Sequence, residues 1–211
     1  MKRALIAGVF VGAAGLLGSC TTMSKDECLA GAWGEKGYAD GAAGYPMTRL
    51  DDHAKACAKY EIAPNPAAYE SAREDGLRTY CTARRGWDEG RSGDAYYGVC
   101  RPEEEAVFLP AYEDGLRLHT IEEAVRTAQG ALSSAEARIK DRQDKLEAKQ
   151  RELRQSGLTD EARQRIRDRI EEVRGEIRNA RRDARDARGA LDDARREADR
   201  ARFLLRGRYP V

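Results

Sequence analysis

Aromatic side chains make up only 7% of the chain, and histidine occurs twice. With so few large rings and 36% charged residues, one big buried core is excluded and a long solvated helical element is expected. An excess of one charge sign is missing too. Against 37 Asp+Glu stand 38 Lys+Arg, which argues against a generic binder of polyanions. There is no Cys-x-x-Cys pair, no phosphate loop, no serine-centred nucleophile turn and no His-Glu metal motif, so no cofactor and no enzymatic activity are expected. Adjacent acids such as Asp51-Asp52 and Glu103-Glu104-Glu105 read as helix starts, not as a spaced acid/base pair.

What is present begins with an address. Met1-Lys2-Arg3 is a basic start, Ala4 to Leu17 is uncharged and apolar, and Gly18-Ser19-Cys20 follows, the layout of a secretory signal over residues 1–19. Leu17-Gly18-Ser19-Cys20 resembles the lipobox of bacterial lipoproteins. The resemblance implies cleavage before Cys20, a diacylglyceryl thioether on its sulfur and an acylated new amino terminus. Each buried methylene contributes roughly 0.8 kcal/mol, so several chains on one residue make a lasting anchor. The competing reading is an uncleaved span, since Ala4 to Ser24 carries no charge. Residue 21 is Thr, not Asp, which by the same resemblance points to the outer membrane, facing the periplasm.

Removing Cys20 from the five cysteines leaves Cys28, Cys57, Cys81 and Cys100, an even set for an oxidising compartment. Two disulfides are expected, and the three possible pairings stay open. His53 and Cys57 stand at helical spacing, but the other thiols are scattered singly, which makes zinc the weaker reading.

Composition divides the chain near residue 115. From Cys20 to Gly115 there are 11 Lys+Arg and 18 Asp+Glu, net −7, while Leu116 to Val211 has 25 and 19, net +6. The acidic part, residues 20–115, repeats a motif: Gly37-Tyr38-Ala39-Asp40-Gly41-Ala42-Ala43-Gly44 and Gly86-Trp87-Asp88-Glu89-Gly90-Arg91-Ser92-Gly93 share Gly-aromatic-x-acid-Gly-x-x-Gly. Weaker copies end in Glu74-Asp75-Gly76 and Glu113-Asp114-Gly115. Glycines at this spacing line one helix face and let two backbones approach, or else the acid-Gly pairs mark turns and helix ends. Helices are expected over Met47 to Tyr60 and Pro66 to Tyr80, with no alternating strand.

The order Cys28, Trp33, Gly37, Asp40-Gly41, Gly44, Cys57, Tyr69, Gly76, Tyr80-Cys81, Gly90, Gly93, Tyr97-Gly98 and Cys100 resembles an uncharacterised family of small bacterial lipoproteins, the domain-of-unknown-function family 2799. The resemblance supports a lipid-anchored, disulfide-bonded head and implies no mechanism.

Residues 116–206 carry the clearest periodicity. Steps of three and four from Leu118 meet Ile121, Val125, Ala128, Leu132, Ala135, Ile139, Arg142, Leu146, Lys149 and Leu153, a heptad seam. A break at 156–160 contains Gly157 to end one helix and Thr159 or Asp160 to cap the next. A second seam then runs from Ile166 to Leu205. The fold class that follows is all-α: a small disulfide-stapled helical head and a long antiparallel coiled-coil hairpin, with 207–211 as a tail. Phe203, Leu204 and Leu205 are expected to dock back on the head. Arginines of the hairpin alternate with acids at pairing distance, so its surface reads as self-paired and no nucleic acid is expected as a partner.

The favoured function is a non-enzymatic envelope lipoprotein. Its partners would be the membrane, through Cys20, and an envelope protein or a second copy, through the coiled coil. The alternative is a glycan (peptidoglycan) binding module using Trp33, Tyr38, Asp40, Trp87, Asp88 and Tyr97, since rings stack on sugars and carboxylates accept hydroxyl hydrogen bonds.

Overall fold

The computed structural model describes residues 22–209. The signal segment and Cys20 lie outside them, as does the end of the tail. Among the described residues seven helices follow one another: α1 Lys25–Ala30, α2 Trp33–Ala42, α3 Arg49–Ala58, α4 Pro66–Tyr80, α5 Ala83–Ser92, α6 Pro102–Leu153 and α7 Asp160–Leu205. The fold is all-α, with no strand among the described residues.

Local sequence explains most of the boundaries. Ser24 caps α1 in a reciprocal capping box with Glu27, and Lys36 reaches the same carboxylate at 2.6 Å. Asn65 accepts from the Ala68 amide just ahead of Pro66, the first residue of α4. Glu103, Glu104 and Glu105 occupy the first turn of α6, where carboxylates complement the helix dipole. Thr159 caps α7, and Gly157 takes the left-handed conformation in the turn.

The head is two copies of one device. In each, two helices cross so closely that backbone meets backbone at glycine. A Cβ on Gly37 would lie 2.1 Å from the Tyr69 carbonyl oxygen, and one on Gly41 2.1 Å from that of Arg73; from the other side, a Cβ on Gly76 would lie 2.2 Å from the Tyr38 carbonyl oxygen. The second copy repeats this with Gly86 against Phe108, Gly90 against Tyr112 and Gly115 against Trp87. Gly44 and Gly93 close the equivalent helix ends with positive φ, each under a ring, Tyr80 in one case and His119 in the other. Both readings of the glycine motif therefore hold: the first two glycines of each strong copy make the contact and the third ends the helix. The weaker copies at Gly76 and Gly115 are the partner helices.

A disulfide ties each copy, Cys28–Cys57 in the first and Cys81–Cys100 in the second, separated by 29 and 19 residues. In the loop-entropy view each contributes roughly 3 to 4 kcal/mol. Met23, Trp33, Leu50 and Tyr69 pack around the first; Leu77, Tyr80 and Phe108 around the second.

The compositional boundary between 115 and 116 lies within α6, which runs unbroken from the second copy into the hairpin. Gly115 reads as a break, but it sits mid-helix because α5 presses on it. Of the three residues expected to dock on the head, only Leu205 is buried; Phe203 and Leu204 remain 70% and 64% exposed.

Beyond the head, α6 and α7 pack along their seams as the periodicity predicts. Every seam position is buried or half-buried, the two polar ones included. Arg142 reaches Glu176 across the pair at 2.6 Å. The α6 helix, 52 residues long, extends roughly 78 Å. Gly130 and Gly189 meet nothing within 4 Å of a built Cβ.

These contacts give opposite expectations for glycine replacement. Gly130→Ala and Gly189→Ala each raise stability by about 1 kcal/mol. Gly41→Ala and Gly90→Ala each lower it by about 1 to 3 kcal/mol through backbone collision. Denaturant melts of the oxidised protein check both signs, and stabilisation by an alanine at residue 41 or 90 contradicts the close-contact account.

Candidate functional site: the junction of head and hairpin

Three helices meet where α7 returns to the head. Trp87 on α5, Ala111 and Leu118 on α6 and Leu205 on α7 form a small core, with Ala201 and Tyr209 packed against it. The Tyr209 ring lies on the Trp87 indole, centroids 4.4 Å apart and 8° from parallel. Around this core run ion pairs. Glu122 accepts from Arg91 of α5 at 2.7 Å through one oxygen and from Arg202 of α7 at 2.8 Å through the other. Arg208 stands 3.6 Å from Asp114. One carboxylate of α6 thus holds the head on one side and the end of the hairpin on the other.

Burial pushes the Glu122 carboxyl up, but the hydrogen bonds from Arg91 and Arg202 outweigh it and leave it below its ordinary value. His119 supports the same corner, its Nδ1 donating to the Arg91 carbonyl at 3.1 Å. Beside the junction lies a groove of about 620 Å³ with Ile121, Ala201 and Leu204 in its lining and Arg117, Arg196 and Arg200 along it.

A second polar cluster sits inside the first copy. Asp40 accepts from the Tyr69 hydroxyl at 2.6 Å and from His53 Nε2 at 2.7 Å, both on Oδ2. Arg73 donates twice to the Tyr45 carbonyl. Burial, reinforced by the bond to Asp40, pushes the Tyr69 hydroxyl well above the usual phenol range. With exposures of 7%, 2% and 0%, Asp40, His53 and Tyr69 are closed to substrate, and they join α2, α3 and α4. The second copy has Glu89 and Phe108 at the corresponding places. There burial raises the Glu89 carboxyl, with Arg85 at 2.9 Å working against the rise.

The residues singled out from the sequence are dispersed. Trp33 belongs to the first core and Trp87 to the junction, both nearly fully buried. Asp40 is enclosed by Tyr69 and His53, Asp88 pairs with Arg84 on the surface, and Tyr38 and Tyr97 stand exposed on different copies. No common face collects the six. Cys57 is engaged by Cys28 and His53 by Asp40, which removes the His53–Cys57 pair as metal ligands.

Residues 32–117 match the family model described as a protein of unknown function (DUF2799). Over the head, the chain matches this family. The DUF2799 segment starts directly before α2 and stops within α6, so it contains both glycine contacts and leaves Glu122, the hairpin and Cys28 outside. The likeness to DUF2799 expected from the glycine and cysteine order is thereby found over residues 32–117. No curated protein and no solved structure matches the chain.

In sequence Glu122 looks like any flanking heptad charge. A depressed carboxyl contributes stability that is present above the ordinary carboxylate range and lost as pH falls through the lowered value. Glu122→Gln weakens docking of the hairpin end by about 1 to 3 kcal/mol and removes that part of the acid loss. Near-ultraviolet dichroism of the Trp87–Tyr209 stack against pH, native beside Glu122→Gln, reads it; identical acid profiles contradict the bracing role.

Proposed function

We propose that the chain is a non-enzymatic, lipid-anchored envelope protein. Acyl chains on Cys20 hold it to the outer membrane on the periplasmic side, and the DUF2799 head carries a stiff helical hairpin toward a partner protein or a second copy. One observation carries this reading most: Glu122, with its two arginines, braces the hairpin to a head that is itself tied by two disulfides. A hairpin fixed at its base keeps a direction in space, and an anchor near the amino terminus turns that direction into a reach away from the bilayer.

The non-enzymatic reading is supported by the burial of the acid–base cluster, in which Asp40 holds both His53 and Tyr69 away from solvent. The hairpin also indicates how contact would be made. Between Val107 and Phe203 no large apolar side chain is among the exposed ones, since the seam uses them internally. Recognition along the rod would rest on charge, with fast, salt-sensitive association.

Two measurements test the proposal. With a radiolabelled palmitate precursor, the native chain takes up label and sediments with membranes, whereas Cys20→Ser does neither; label on the substituted chain refutes the anchor. Excising residues 132–191 and closing the gap with a short glycine-serine turn leaves Glu122, Arg202 and Tyr209 in place. That shortened protein stays anchored and loses the partner captured by cross-linking in intact cells. Unchanged capture refutes the hairpin as the contact surface.

A further inference from the structure

We infer that the head rests directly on the bilayer, with Lys25, Leu29, Lys59 and Tyr60 as the patch that meets anionic phospholipid headgroups. This rests on the Cys20 anchor proposed above. Met23 is 1% exposed and packs in the first core beside Trp33 and Cys57, and the next residue, Ser24, is locked in the cap of α1. From Cys20 to Met23 is three residues, a reach of at most about 11 Å even when fully extended. The headgroup layer of one leaflet is itself about 5 to 8 Å thick. A folded head joined by so short a tether cannot stand clear of the surface.

The residues around the tether have the chemistry of an interface. Lys25 and Leu29 stand at i and i+4 on α1, hence on one face, and Leu29 is 58% exposed. The Lys25 ammonium lies 5.8 Å from the centre of the Tyr60 ring and that of Lys59 lies 5.0 Å from it. An exposed leucine, an amphipathic ring and two flexible cations are what a headgroup layer accommodates, stems and ring inward and charges at phosphate level. Of the two acids on the same short helix, Glu27 is occupied by Lys36 and the Ser24 amide, and Asp26 is exposed about 100° round the helix from Lys25.

Charge distribution supplies the orientation. Residues 20–60 carry five Lys+Arg against six Asp+Glu, net −1, whereas residues 61–115 carry six against twelve, net −6. An anionic surface repels the far part of the head and leaves this nearly neutral end, with Lys25 and Lys59 beside the tether, to face it. Contact therefore also fixes how the hairpin leaves the membrane.

The test uses the full-length lipidated protein in vesicles of three parts phosphatidylethanolamine to one part phosphatidylglycerol. A membrane-impermeant amine acetylating reagent is applied and modification of each lysine is followed by mass spectrometry. The comparison is a variant with a twelve-residue glycine-serine insertion between Thr21 and Thr22, which frees the head by about 20 Å on average. Lys25 and Lys59 should react about fivefold more slowly in the native chain than in the insertion variant, the equivalent of roughly 1 kcal/mol per lysine at an anionic surface. Lys140, Lys145 and Lys149, near the far end of the hairpin, should react alike in both. Lipidated protein in which Lys25 and Lys59 react equally with and without the insertion overturns the inference alone. Protein whose intact mass carries no lipid on Cys20 overturns the anchor and this inference with it.

Discussion

Backbone contact between paired helices is the constraint on which the structure depends. The head has few large apolar residues, and side-chain burial alone gives so small a domain little margin. It compensates by letting helices touch at glycine, where carbonyl and Cα atoms come within van der Waals reach and dispersion gains accumulate without a layer of side chains. The cost is helix propensity at Gly37, Gly41 and Gly76, and again at Gly86, Gly90 and Gly115. Disulfides offset it by limiting the unfolded chain, one per copy.

Duplication then explains how one copy could take on a different task. In the first, the second helix of the pair ends at Tyr80, beside the half-cystine Cys81. In the second, the equivalent helix continues past His119 for another nine turns or so and becomes half of the hairpin. The first copy keeps a polar interior of Asp40, His53, Tyr69 and Arg73, which ties α2, α3 and α4 together. The second exchanges that hydroxyl for Phe108 and uses its outer face, Trp87 and Arg91, to receive α7. The first half of the head is thus closed around its own polar interior, and the second is open to α7.

Much of this was legible from residue order. Asn65-Pro66 and the heptad steps from Leu118 and Ile166 state their helices locally, since capping and periodicity need no tertiary information. The likeness to DUF2799 over residues 32–117 was legible from spaced glycines and cysteines. Disulfide pairing was not, because three connectivities satisfy the same four residues and only the packing of the two copies selects one. The extent of α6 was hidden by Pro110 and Gly115, which signal a break; the proline is exposed and costs one hydrogen bond, and the glycine is required by α5. Glu122, Arg202 and Tyr209 were hidden because each looks like surface until the chain ends are brought together.

The central claim is that head and hairpin form one body through an unbroken helix. Amide hydrogen exchange of the oxidised full-length chain measures this most directly. The account requires amides from Phe108 to Val125 to exchange slowly as a single block, in step with those of α5 and of α7 near Arg202. A fast-exchanging stretch between Gly115 and Ile121, flanked by slow segments, would mean a hinge at the base of the rod and would contradict it.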